Sequence, residues 1–185
     1  MSRKLLLITG YPGIGKTTVL LRTVELLKAQ GFKVGGMVSR EARCKGQRLG
    51  FEILDLSSGK CGWLAHTDQT CGPRVGRYHV NIKDLEEVGA KAILTAAESS
   101  DVIAIDEVGP MELLSTPFKE AVLKAMKSQK PIIAVIHWKA RDTLIDAVKT
   151  NKDAHTYVVT VENRDTLPAT IAEEAKSVLR SPDTP

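Results

Sequence analysis

The sequence predicts an α/β fold built on a mainly parallel sheet with a five-strand core. Strand-like apolar runs alternate along the chain with amphipathic helical segments. The first run leads directly into a glycine-rich motif, and a later run ends in two acidic residues. Because parallel sheets bind ligands outside the carboxyl ends of their strands, both motifs are expected at the same edge.

The predicted elements fill one domain, residues 1–180, followed by a flexible tail at 181–185. The apolar runs that read as buried strands are 5–8, 33–39, 102–105, 132–136 and 157–161. Helical periodicity predicts helices at 17–29, 81–98, from 116 onward, at 142–149 and at 165–180. Gly35 and Gly36 are expected to loosen the second strand.

Residues 40–80 differ in character from the rest of the chain. Leu49, Phe51 and Ile53 alternate with polar residues after a glycine-containing turn at 44–47, which is typical of an antiparallel β-hairpin. Further glycines divide the remainder of the segment into short pieces. We therefore expect a β-rich insertion packed on the parallel core.

The composition favours an ordinary soluble protein. The chain has 185 residues, 43% of them hydrophobic and 26% charged, with a formal net charge of +4. No apolar run approaches the ~20 residues that cross a bilayer, and no signal peptide is recognisable, so a cytoplasmic location is expected. Cys44, Cys61 and Cys71 have neither a CxxC spacing nor a common zinc-site spacing, which favours reduced thiols.

The glycine-rich motif is a complete P-loop, G-x-x-x-x-G-K-[ST], between a predicted strand and a predicted helix. Its residues are Gly10, Tyr11, Pro12, Gly13, Ile14, Gly15, Lys16 and Thr17. The glycines allow backbone N–H groups to approach phosphate oxygens at a helix N-terminus. Lys16 is predicted to contact the β- and γ-phosphates and Thr17 to bind Mg²⁺.

Asp106 and Glu107 follow the apolar run 102–105 and form a Walker B motif. Asp106, at the carboxyl end of a buried strand, is predicted to hold Mg²⁺. A carboxylate directly after the metal-binding residue can take a proton from water, so Glu107 is the candidate catalytic base. This arrangement favours a hydrolase.

The sequence leaves the roles of three residues open, and all three lie shortly after the fourth predicted strand. His137 could touch the γ-phosphate or the attacking water, or it could be a surface or packing histidine. Lys139 or Arg141 could stabilise the transition state, or both could be solvated residues that open a helix.

The chain resembles the small P-loop nucleoside-triphosphatases of the THEP type over nearly its whole length. The resemblance rests on the P-loop, on the segments 39–43 and 46–51, on 75–78, on Asp106-Glu107-Val108-Gly109-Pro110-Met111-Glu112-Leu113, and on Glu162-Asn163-Arg164. It implies a RecA-like three-layer fold and slow, Mg²⁺-dependent hydrolysis of ATP, GTP, CTP and UTP, and of TTP, with little base selectivity.

The resemblance also implies roles for individual residues. It adds Thr18 to the nucleotide-binding loop and places Lys139 where relatives often carry a basic residue. Asn163 and Arg164 would meet the nucleobase, where a guanidinium can stack on a base without reading its edge. Pro110 stands where many relatives have lysine, and the pair at 137–138 replaces a smaller, less polar one.

Two other functions stay open at this stage. A phosphotransferase could use the same core with Arg40, Arg43 and Arg48 as lid residues. A nucleotide-switched binding module for RNA would explain the basic segment 40–77, although the aromatic content of 4% makes nucleic acid an unexpected partner. Nucleoside triphosphates are the expected partners and a monomer the expected state.

Overall fold

A computed structural model describes residues 4–180, so the predicted tail at 181–185 lies outside the described residues. Nine strands within that range are β1 Leu5–Thr9, β2 Val34–Cys44, β3 Gln47–Asp55, β4 Cys61–His66, β5 Arg74–Val75, β6 Tyr78–Val80, β7 Val102–Val108, β8 Ile132–Ile136 and β9 Ala154–Val158. They form one sheet in the order β5-β6-β4-β3-β2-β7-β8-β1-β9.

The helices flank this sheet. They are α1 Lys16–Ala29, α2 Ile82–Asp84, α3 Lys91–Ser99, α4 Thr116–Lys127, α5 Thr143–Lys149 and α6 Leu167–Leu179. A π-helical turn, Leu85–Ala90, joins α2 to α3, and a short 3₁₀ turn, Glu112–Leu114, precedes α4. None of the helices within residues 4–180 has the length and apolar character that crossing a bilayer requires.

The predicted parallel core is confirmed. Strands β2, β7, β8, β1 and β9 pair in parallel, with β8 between β7 and β1. The fifth strand begins at Ala154, which is three residues before its predicted start at 157, because Ala154 pairs with Leu5 at the beginning of β1. It ends at Val158, beyond which the Asn163 side chain accepts a hydrogen bond from the Thr160 N–H and turns the chain.

The segment 40–80 continues the sheet instead of packing on it. Strand β2 runs past the predicted end at Ser39 to Cys44, and β3 returns antiparallel to it through the turn containing Lys45 and Gly46. Strands β4, β6 and β5 then add antiparallel pairings outward. We call residues 40–80 the sheet extension.

Alternating residues of the central strands build the two cores of a three-layer structure. On β1, Leu5 and Leu7 face the cluster that includes Phe118 of α4, whereas Leu6 and Ile8 face the cluster that includes Leu20 of α1. All of these side chains are buried. Burial on both faces explains why the central strands are continuous apolar runs.

Close approach of two backbones requires Gly36 in β2. It pairs with Ala104 of β7 and has φ +112°. A Cβ atom at this position would lie 2.0 Å from the carbonyl oxygen of Ala104. Glycine therefore lets β2 join the sheet here, rather than loosening the strand as its sequence suggests.

We expect Gly36→Ala to lower the free energy of unfolding more than Gly46→Ala. Both positions have positive φ, which costs about 1–2 kcal/mol for alanine. Apart from Gly46 itself and its chain neighbours, no atom of residues 4–180 lies within 4 Å of a Cβ at Gly46, so only Gly36→Ala adds an overpacking cost of about 1–3 kcal/mol. Urea unfolding measures the difference, and equal losses in the two variants would contradict the close approach.

Candidate active site

The P-loop connects the carboxyl end of β1 to the N-terminus of α1, as its sequence context predicts. Gly15 precedes the helix with φ +109°, a conformation that L side chains rarely adopt. The Lys16 ammonium donates to the carbonyl oxygens of Gly10 at 3.2 Å and Tyr11 at 3.3 Å. The lysine thus lies along its own loop, at the place where phosphate oxygens would compete for its charge.

Asp106 is held between two hydroxyl groups. Its carboxyl oxygens accept hydrogen bonds from Thr17 at 3.1 Å and from Ser39 at 3.4 Å, and the residue is 0% exposed. Burial, together with the charge of Glu107, raises the pKa of Asp106 to about 7 in spite of these hydrogen bonds. A charged carboxylate here lacks solvent, so a bound cation would stabilise it.

The oxygen donors around Asp106 fit Mg²⁺. This ion prefers oxygen ligands and usually combines one or two carboxylates with waters and substrate phosphates. Asp106, Thr17 and Ser39 supply a carboxylate and two hydroxyls at one point. Within residues 4–180, no group of three or more His, Cys, Asp or Glu side chains could hold a metal by itself. A metal site that is completed by phosphate oxygens does not need such a group of side chains.

Glu107 also reaches the P-loop side of the sheet. The register between β7 and β8 shifts between Ile105 and Val108, which interrupts the regular alternation of side chains where the two acids lie. Burial raises the pKa of Glu107, and the charge of Lys16 opposes that rise. Lys16 thus offsets part of the cost of ionising the carboxylate that a general base requires.

A cavity of about 560 Å³ lies in front of the P-loop, and we call it the P-loop cavity. One wall is formed by the P-loop with Glu107 and His137. The opposite wall belongs to the sheet extension and to the preceding Ser39, and its side chains are Arg40, Glu41, Arg48 and Phe51. The sheet extension thus completes the site rather than covering a separate surface.

Two arginines of the extension are held by the same carboxylate. Glu41 pairs with Arg43 at 2.7 Å and also with Arg48. The Arg48 guanidinium lies over the Phe51 ring, 5.5 Å from its centroid. Arg40, by contrast, is exposed at the cavity wall, where its charge can meet a phosphate.

The other predicted nucleotide contacts lie at two different places. Arg164 lines a cavity of about 190 Å³ beside Gly15 and Thr18, which we call the Arg164 cavity. The neighbouring Asn163 side chain hydrogen-bonds to the backbone. It accepts a hydrogen bond from the Thr160 N–H and donates one to the Val158 carbonyl. Lys139 is exposed and lies outside the residues that line the P-loop cavity.

His137 is oriented by the chain that follows it. Its Nδ1 accepts hydrogen bonds from the backbone N–H groups of Lys139 at 3.3 Å and Ala140 at 2.9 Å. The proton of the neutral ring is therefore on Nε2, and the side chain lines the P-loop cavity. The neighbouring Trp138 contacts Tyr11, with 5.1 Å between ring centroids, and so supports the first turn of the P-loop.

Sequence reasoning did not assign a site role to Ser39 or Glu112. Ser39 is the polar last residue of the predicted strand 33–39, and strand β2 adjoins β7. A polar residue at the end of a predicted strand can be read from the sequence. To recognise Ser39 as a neighbour of Asp106, however, one must know that β2 adjoins β7. Glu112 belongs to the segment that carries the family resemblance, yet its burial, with 5% exposure, is visible only in the structure.

Comparisons with known proteins agree with this geometry. The NTPase family model matches residues 5–172. Nucleoside-triphosphatase THEP1 of Thermofilum pendens is 47% identical over 97% of this chain and 99% of its own length. The corresponding protein of Methanosarcina barkeri is 45% identical over 92% of this chain and 97% of its own length.

Solved structures show the same fold. THEP1 from Aquifex aeolicus has a TM-score of 0.79 and 29% identity, covering 90% of this chain and 96% of that one. A human cancer-related nucleoside triphosphatase has a TM-score of 0.81 and 31% identity, covering 94% of this chain and 98% of that one. This chain therefore belongs to the NTPase family, whose matched relatives carry the name nucleoside-triphosphatase THEP1.

Proposed function

We propose that this protein is a Mg²⁺-dependent nucleoside-triphosphatase that hydrolyses ATP, GTP, CTP and UTP, and TTP, to the diphosphate and phosphate. One observation supports this most directly. The Glu107 carboxylate borders the P-loop cavity, where the charge of Lys16 acts on it. A base beside a phosphate-binding lysine is what activation of water for attack on a γ-phosphate requires.

Each step follows from groups within one chain. Lys16 exchanges its carbonyl partners for phosphate oxygens. Thr17 and Asp106 would hold Mg²⁺, which would supply positive charge to neutralise those oxygens. Water bound at Glu107 loses a proton to the carboxylate and attacks the γ-phosphorus. The bond to the β-phosphate oxygen then breaks, and the nucleoside diphosphate leaves.

Low base selectivity fits the Arg164 cavity. Arg164 offers a guanidinium plane that can stack on any base. The other charges nearby, Arg22 and Asp165, pair with each other at 3.1 Å and are exposed to solvent. Stacking without edge recognition does not distinguish one base from another.

We also propose that the enzyme acts as a monomer in the cytoplasm on free nucleotides. One chain supplies every residue of the proposed site. Cys44, Cys61 and Cys71 are free and exposed, which is typical of proteins from reducing compartments. Part of the positive charge that suggested RNA binding is offset within the segment itself, since Glu41 pairs with both Arg43 and Arg48.

We expect Lys16→Ala to lose nucleotide binding and turnover, and Glu107→Gln to keep binding while turnover falls at least about a hundredfold. Lys16 contributes charge to binding, whereas Glu107 accepts a proton only during the reaction. Phosphate release from each nucleotide, with equilibrium binding in parallel, measures both. Glu120→Gln, which removes an exposed carboxylate from α4, is the matched control. A fully active Glu107→Gln variant would remove the base assignment.

Metal-free protein should lose stability as Asp106 ionises. The pKa of Asp106 rises from 3.8 to about 7 on folding, so between these values the folded state binds more protons than the unfolded state. The free energy of unfolding therefore falls as pH rises through this window. In EDTA, the free energy of unfolding of Asp106→Asn should increase relative to that of wild type as the pH rises across the window. Added Mg²⁺ should then stabilise wild type but not the variant.

Urea unfolding over the same pH range measures this effect. Asp146→Asn, an exposed change on α5, should follow the wild-type course. A constant difference between Asp106→Asn and wild type at every pH would show that burial does not perturb Asp106, and stabilisation of both proteins by Mg²⁺ would place the metal elsewhere.

Arg40 is better placed than Lys139 to stabilise charge that develops on the γ-phosphate, because Arg40 lines the P-loop cavity. We expect Arg40→Ala to lower kcat roughly tenfold to a hundredfold. Arg43→Ala, in the same strand but outside the cavity wall, and Lys139→Ala should each stay within about twofold of wild type. Steady-state measurement of kcat for the three variants tests this prediction. A large loss of kcat in Lys139→Ala with little loss in Arg40→Ala would support the role that the sequence suggested for Lys139.

A further inference from the structure

A second cavity, of about 270 Å³, adjoins the P-loop cavity at Glu107. It shares Ser39, Phe51, Glu107 and His137 with the P-loop cavity. We call it the Glu112 cavity, because that residue lines only this second space. Glu107 therefore borders both the proposed phosphate site and this second chamber.

One oxygen of Glu107 is turned toward the loop that lines this chamber. Its Oε1 atom is buried and has no hydrogen-bond partner within residues 4–180. A Cβ on Gly109 would lie 3.3 Å from this atom and 3.3 Å from Oε2 of Glu112, so the two oxygens are at most 6.6 Å apart. Gly109 keeps open a gap in which a hydrogen-bond donor could meet both carboxyl groups.

Glu112 can take part as a neutral acid. Burial, with added repulsion from Glu107 and Asp106, raises the pKa of Glu112 to about 8. At neutral pH its carboxyl group then carries a proton and can both donate and accept a hydrogen bond. The unpartnered buried oxygen of Glu107 and the neutral acid of Glu112 together suit a hydroxyl group, which is itself donor and acceptor.

Much of the remaining lining is apolar, and the chamber is larger than a water site. Leu64 of β4, Val75 of β5, Met111 and the Phe51 ring form its wall. Since one molecule of liquid water occupies about 30 Å³, the space corresponds to roughly nine waters. An attacking water alone needs neither this volume nor apolar walls, whereas a small organic molecule uses both.

We propose that the Glu112 cavity binds a small uncharged alcohol with an apolar body, and that the γ-phosphoryl group is transferred to its hydroxyl oxygen. This inference rests on the proposed function, since it uses the same nucleotide site and the same base. The hydroxyl proton passes to Glu107, the alcohol oxygen bonds to the γ-phosphorus, and the bond to the β-phosphate oxygen breaks. The products are a phosphate monoester and the nucleoside diphosphate, and hydrolysis is the same reaction with water as the acceptor.

Benzyl alcohol is the probe, because it combines a primary hydroxyl with an apolar ring of suitable size. Phosphorus NMR of the enzyme with Mg²⁺ and ATP separates benzyl phosphate from inorganic phosphate, and chromatography measures total ADP. We expect benzyl phosphate to accumulate at the expense of inorganic phosphate as the alcohol concentration rises. Glycerol at equal concentration should give at least tenfold less phosphate monoester, since it has no apolar body.

Val75→Trp fills the cavity from the two-residue strand β5 at the edge of the sheet. We expect the ratio of benzyl phosphate to inorganic phosphate to fall at least tenfold in this variant. Leu123→Trp introduces the same side chain on α4 at an exposed position outside both cavities and should keep the wild-type ratio.

The outcomes separate the two proposals. ADP formation with inorganic phosphate alone, at every concentration of benzyl alcohol, would overturn the alcohol site and leave the hydrolase intact. Equal ester formation from glycerol and benzyl alcohol, unchanged by Val75→Trp, would mean capture of solvent alcohol outside the cavity and would also overturn it. No ADP under any condition would overturn the proposed function itself.

Discussion

The burial of the Asp106 carboxyl group between Thr17 and Ser39 is the constraint on which the site depends. It joins the first turn of α1, the carboxyl end of β7 and strand β2 at one point. A buried carboxylate is costly when it is ionised, and the two hydroxyl groups offset only part of that cost, since the pKa of Asp106 stays raised to about 7. Under the proposed function, a metal–phosphate complex would offset the rest.

The sheet extension has a functional position because it belongs to the same sheet. Strand β2 contributes Gly36 to the parallel core, Ser39 to the Asp106 site and Arg40 to the cavity wall. Since a strand rises about 3.3 Å per residue, these three roles follow along one rigid element. A separately packed hairpin could move relative to the P-loop, whereas a continuous strand fixes the distance between the basic wall and the phosphates.

Local signals allowed the parallel core, the P-loop and the Asp106–Glu107 pair to be predicted from sequence, because each depends on residues adjacent in the chain. The role of Gly36 and the position of Arg40 depend on which strands are neighbours, which no local pattern specifies. The role of Lys139 stays a prediction. Its position after β8 suggested a place at the site, but the backbone of residues 139–140 turns to cap His137, and the Lys139 side chain stays exposed.

Glu107 shows how one carboxylate can serve two chambers. Its charge is balanced from the P-loop side by Lys16, while its unpaired oxygen lies beside Gly109 and Glu112. The apolar walls around that oxygen, formed by residues such as Leu64 and Val75, offer no hydrogen bonds that would hold a water there. A carboxylate that borders both cavities is therefore placed where a different acceptor could meet it in each. Under the two proposals, hydrolysis is the reaction that remains when water is the only acceptor present.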